Sequence, residues 1–75
     1  MMHRPKKRSI TLDGHRTSVS IEEEFWHQFV LTAQEQGKSI NMLATEIDHI
    51  RGLDVGLASA IRLFVLSHAL GRTFP

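Results

Sequence analysis

The sequence predicts a mainly α domain that opens with a short antiparallel β ribbon. Three observations point there: a period-two stretch over residues 8–21 broken by Asp13-Gly14, three apolar segments at helical spacing after it, and a glycine at the end of each segment. The chain has 75 residues and no cysteine. It is therefore one small domain that hides roughly 60% of its unfolded surface, with neither disulfides nor thiolate zinc to staple it. A composition of 41% hydrophobic and 23% charged residues is globular rather than disordered. The longest uncharged apolar run, Leu63 to Leu66, falls far short of the roughly 20 residues of a membrane span. No apolar stretch follows the basic start as it would in a secretory leader. A soluble, cytoplasmic domain that gains stability from oligomerisation is the expectation, with no membrane partner.

In the first segment, Asp13-Gly14 signals a two-residue type I′ turn, because both central residues need positive φ. Such a turn pairs Leu12 with His15, Ile10 with Thr17 and Arg8 with Val19. Ile10, Leu12, Thr17, Val19 and Ile21 then share one face; Ser9, Thr11, Arg16, Ser18 and Ser20 share the other. A hairpin of strands 8–12 and 15–21 is the result. Alone it is marginal, so it must pack on helices or pair with another chain.

A first helix is expected over 23–36, capped by Ser20 or Glu22, with Ser20 and Glu23 at capping-box spacing. The run Glu22–Glu24 lies at the positive end of the helix dipole, a better reading than a catalytic carboxylate pair. Phe25, Trp26, Phe29 and Ala33 form its apolar stripe, and Gly37 suits a left-handed C-terminal stop. Ser39 caps a second helix over 40–51, whose inward face is Ile40, Leu43, Ala44, Ile47 and Ile50. Gly52 and Gly56 bracket a loop in which Leu53 and Val55 are expected to tack onto the core. A third helix, 57–70, is apolar around most of its circumference. A chain this small has too little protein to cover it, whereas an intimate dimer would.

Charge is uneven. Residues 1–20 carry five basic side chains against Asp13 alone, while residues 21–75 carry four against seven acids. Residues 1–7 read as a flexible basic arm and 8–75 as a single domain, a distribution suited to nucleic-acid phosphates.

The string His15-Arg16-Thr17-Ser18-Val19-Ser20-Ile21, the helix 23–36, and Gly37-Lys38-Ser39 opening a second helix resemble, in this order and with these lengths, the ribbon-helix-helix family of bacterial DNA-binding proteins, the Arc/MetJ type. The likeness covers Arg16 to about Ile50. The added Arg8-Ser9-Ile10-Thr11-Leu12 strand, Phe25-Trp26 and the third helix look like a subfamily. The resemblance implies an intertwined homodimer whose two strands enter the major groove. Arg16, Ser18 and Ser20 would face the bases, and Thr17, Val19 and Ile21 the core. The start of the second helix, with Lys38, Ser39 and Asn41, would grip a phosphate, and Lys6, Lys7 and Arg8 of the basic segment would add phosphate contacts. For Ser39, capping is the basic role and phosphate binding an addition to it. The dimer core would comprise Val19, Ile21, Phe25, Phe29, Leu43, Ile47, Ile61 and Phe64.

One departure bears on this. Typical members have a short arm where this chain has a strand. If Asp13-Gly14 folds that strand back, a dimer sheet has four strands, wider at about 4.8 Å per spacing than the roughly 12 Å groove. Either the first strand lies outside the ribbon as an arm, or the sheet does something other than enter DNA.

His3, His15, His27, His49 and His68 show no i, i+4 pairing, so neither metal nor cofactor is expected. Trp26, with Phe25 and Phe29, reads as core or interface rather than as a base-stacking platform. No phosphate loop or nucleophile elbow stands out, so an enzyme is not expected. The expected function is sequence-specific double-stranded DNA binding as a small bacterial transcriptional regulator, dimeric or of higher order. The alternative is a protein-interaction module, antitoxin-like or assembling through the third helix, without DNA sequence readout.

Overall fold

A computed structural model describes residues 4–74; residues 1–3, with His3 and the start of the basic arm, and Pro75 lie outside the described residues. The chain runs β1 (Lys6–Leu12), β2 (His15–Ile21), α1 (Glu23–Glu35), α2 (Ile40–Ile50) and α3 (Leu57–Ala69). The helices end within a residue of the limits expected from sequence. β1 starts two residues early because Lys6 and Lys7 continue the ladder opposite Ile21 and Ser20.

β1 and β2 form an antiparallel hairpin whose register, Leu12 with His15, Ile10 with Thr17 and Arg8 with Val19, is the one the Asp-Gly turn dictates. Asp13 and Gly14 have φ of 49° and 82°, the two positive values that a type I′ turn demands. At the other end of α1, Gly37 at φ 67° lets the chain stop in a Schellman motif. There the Lys38 amide donates to the Ala33 carbonyl at 2.9 Å and the Gly37 amide to Gln34 at 3.1 Å. The turn to α2 is completed by Ser39, whose hydroxyl accepts from the Met42 amide at 3.0 Å.

The core gathers Ile10, Val19 and Ile21 from the hairpin, Phe29 and Ala33 from α1, Leu43, Ala44 and Ile47 from α2, and Ala60, Ile61 and Val65 from α3. α2 packs mainly against β1, and α3 against β2 and both other helices. Phe29 lies at the centre, with its ring 5.6 Å from Trp26 and 6.4 Å, edge-on, from Phe64. Burying a side chain of that size contributes roughly 1.5–3 kcal/mol. Of the residues assigned to a dimer core, Val19, Ile21, Phe29, Leu43, Ile47 and Ile61 are buried within one chain, and Phe25 and Phe64 are half-buried.

Four local expectations are corrected. Thr17, on the inward side of the hairpin, is exposed, as is its neighbour on that face, His15. α2 lies under β1 and α3 under β2, where Val19 and Ile21 are buried, so the exposed stretch of the inward face is the turn-proximal part of β2. Ile50, at the last turn of α2, is 48% exposed, and Leu53 stands wholly outside the core because the loop after α2 turns away there. Ser20 does not cap α1. The N-cap is Glu22, without a side-chain bond to the helix, because its carboxylate accepts instead from Arg62 Nε at 2.7 Å.

Candidate nucleic-acid interface

The outward face of the hairpin is narrow and polar. The pairs Lys7–Ser20, Ser9–Ser18 and Thr11–Arg16 stand side by side on it. All are exposed except Thr11, which is half-buried. Arg16, Ser18 and Ser20 thus share one strand face, alternating with Val19 and Ile21, which anchor the strand from below. Serine is short, so the strand backbone can approach a flat surface closely. Arg16 adds a planar fork of donors.

The two edges of the hairpin differ. A two-residue turn makes Leu12 and His15 a hydrogen-bonded pair, and alternation from there aims the backbone groups of Thr11 on β1, and of Arg16, Ser18 and Ser20 on β2, away from the partner strand. On the β1 side, Asn41 Oδ1 accepts the Thr11 amide at 2.9 Å. On the β2 side, Arg62 of α3 donates to the Ser20 carbonyl at 3.1 Å. The Arg16 and Ser18 backbone groups face outward with no partner among the described residues. An open edge of this kind is a template for a further strand.

The Asn41 bond sets the first turn of α2 beside β1, where Thr11 faces Arg16 across a single strand spacing of about 4.8 Å. With Met42 capped by Ser39, the Ile40 and Asn41 amides at the positive end of α2 remain open. A shallow cleft of about 380 Å³ lined by Thr11, Gly14, Asn41 and Thr45 separates the hairpin turn from this helix start. Lys38 stands at the same corner, its Nζ 2.7 Å from Glu46 Oε1.

The basic residues divide into two groups. Lys6, Lys7 and Arg16 are exposed. Arg8 turns under the hairpin instead: it forms an ion pair with Glu23, and its guanidinium lies 5.2 Å from the Trp26 ring centre. The joint between β2 and α1 is also held electrostatically. The hydrogen bond from Arg62 holds the Glu22 carboxyl below its usual range, helped by Glu22's own backbone amide. At the hairpin turn, Asp13 lies 2.8 Å from His49 Nε2 and raises the histidine's pKa, first through the hydrogen bond and then through its charge. Sequence reasoning missed the tethering roles of Arg8, Asn41 and Arg62. Only the half-apolar surroundings of Arg62 on α3 could have signalled one of them.

Among the described residues, no three His, Cys, Asp or Glu side chains converge as a metal site, and no helix is long and apolar enough to cross a membrane. A ribbon-helix-helix domain model matches residues 5–69, which spans the hairpin and all three helices. The chain belongs to that family. Ribbon-helix-helix proteins are generally DNA-binding regulators and typically not enzymes, and α3 falls within the matched domain. No curated protein and no solved structure matches this chain.

Proposed function

We propose that this ribbon-helix-helix protein is a homodimeric transcriptional regulator, acting in the bacterial cytoplasm, that reads double-stranded DNA with the outward face of β2. The observation carrying the reading is the juxtaposition of Arg16, Ser18 and Ser20 on one exposed strand face with the open start of α2, with only β1 between them. The open β2 edge supports pairing with the same edge of a second copy, which sets two such faces side by side. Arg16 supplies a bidentate donor for guanine O6 and N7, worth about 1–3 kcal/mol of discrimination, and the serines donate or accept. The Ile40 and Asn41 amides, with Lys38 and Ser39, hold a phosphate.

The paired β1 reshapes this geometry rather than preventing it. Because β1 lies along β2, the arm-like alternative does not apply to residues 6–12, and a dimer sheet has the order β1-β2-β2-β1. Three spacings of about 4.8 Å exceed the roughly 12 Å groove, so only the two central strands reach its floor. Twist of about 20–25° per strand tilts the outer strands away. Lys7, on the outward face of β1, then meets the phosphates along the groove walls, with Lys6 beside it at the exposed start of the strand.

The test is selection of bound fragments from the source genome by the full chain and by Arg16→Ala. Enrichment of a short, roughly palindromic site that the variant loses is the expected result, and no enrichment at low salt would sink the proposal. A second reading, a protein-interaction module, is favoured by the apolar outer face of α3. It predicts a co-purifying protein and no sequence enrichment.

A further inference from the structure

Along α3, Leu63, Leu66 and Leu70 follow one another at helical spacing on the side turned away from the chain, 50%, 51% and 55% exposed. Ile50 continues this surface across a groove of about 240 Å³ that it shares with Leu63 and Phe74. Scattered exposed leucines need no explanation, but a contiguous row beside a groove does.

We infer that this leucine face is covered by a second copy of the same chain, the one that pairs along β2, so that α3 is part of the dimer interface. The inference rests on the ribbon dimer proposed above and adds the surface that gives it most of its apolar burial. Two observations choose the occupant. The first is continuity: Arg62, one helical turn before Leu66, donates to the Ser20 carbonyl, so the flank of the leucine row touches the open edge of β2. A chain added at that edge arrives over α3. The second is charge. Of the ionic groups flanking the row, Arg62 is paired with Glu22, and Arg51 beside the groove with Asp48. The face therefore offers a charged partner little to recognise. A neutral leucine row is self-complementary across a two-fold axis, and the groove beside it has room for an incoming leucine side chain.

The test is sedimentation equilibrium of the full chain, a variant carrying Leu63→Glu with Leu66→Glu, and Ser18→Pro. Both leucines are half in solvent, and the Ser18 amide points off the hairpin, so each variant keeps its fold, checked by circular dichroism and melting. The wild type is expected at twice 8.5 kDa, with dimer dissociation raised at least about 100-fold in the leucine variant. Unchanged dimerisation of that variant beside a weakened Ser18→Pro overturns the leucine interface and leaves the ribbon reading standing. A weakened leucine variant beside an unchanged Ser18→Pro means that the copy on the leucine face does not pair along β2, and it overturns the inference as well as the ribbon reading. A wild type that stays monomeric at 100 µM, or that binds a different protein through this face, overturns the inference. The fragment selection then judges DNA binding separately.

Discussion

Asn41 Oδ1 accepts the backbone amide of Thr11 at 2.9 Å, joining the first turn of α2 to the outer edge of the hairpin. That bond fixes the distance between the start of α2 and the outward face of the hairpin. It also occupies one backbone donor on the β1 edge of the hairpin.

Asn41→Ala removes the acceptor from a solvent-accessible amide. A loss of about 0.5–1.5 kcal/mol is expected in urea unfolding, the net worth of one such bond. In the DNA reading, affinity for the selected fragment falls by more than the loss of stability accounts for, because the phosphate anchor comes free of the ribbon.

Arg8 and Lys7 are neighbours with opposite fates, and salt separates them. Lys7→Ala should lower the slope of log affinity against log salt by about 0.9, the signature of one lost phosphate contact. Arg8→Ala should leave the slope unchanged and lower the melting temperature, since its guanidinium is held by Glu23 and Trp26.

Gly14 lies at φ 82° with open space where a Cβ would stand, so substitution there meets no clash and strains only the backbone. Gly14→Val is expected to cost roughly 1–2 kcal/mol in denaturant unfolding. Phe29→Ala, in the centre of the core, should cost roughly 3–5 kcal/mol and leave a domain of this size close to unfolded.

Two ion pairs respond to pH with opposite signs. Glu22 is held below its ordinary value by Arg62, so its contribution to stability is present above the unfolded carboxyl pKa and is lost as pH falls through the depressed one. His49 is raised by Asp13, so its contribution is full below the unfolded histidine pKa and is lost as pH rises through the raised one. Carbon-detected titration of the side chains should find both shifts. Arg62→Ala should return Glu22, and Asp13→Asn His49, towards their ordinary values.

Local rules carried most of the fold. Asp13-Gly14 determines the hairpin register, Gly37 the stop of α1 and Ser39 the start of α2, because each is a backbone requirement that one or two residues satisfy. The outward placing of Arg16, Ser18 and Ser20 followed from period two alone. What stayed illegible depends on contacts distant in sequence. Thr17 and Ile50 alternate like core residues, yet Thr17 is exposed and Ile50 stands half in solvent. Arg8 reads as part of a basic segment until Glu23 and Trp26 are placed beneath it, and Arg62 lies 42 residues from the carbonyl it holds.

The most direct measurement is the amide spectrum of the labelled protein as a duplex carrying the selected site is added. Readout by β2 predicts the largest changes at Arg16, Ser18 and Ser20 and at residues 38–41, with the outer face of α3 unmoved. Changes confined to α3, or none at low salt, would contradict it.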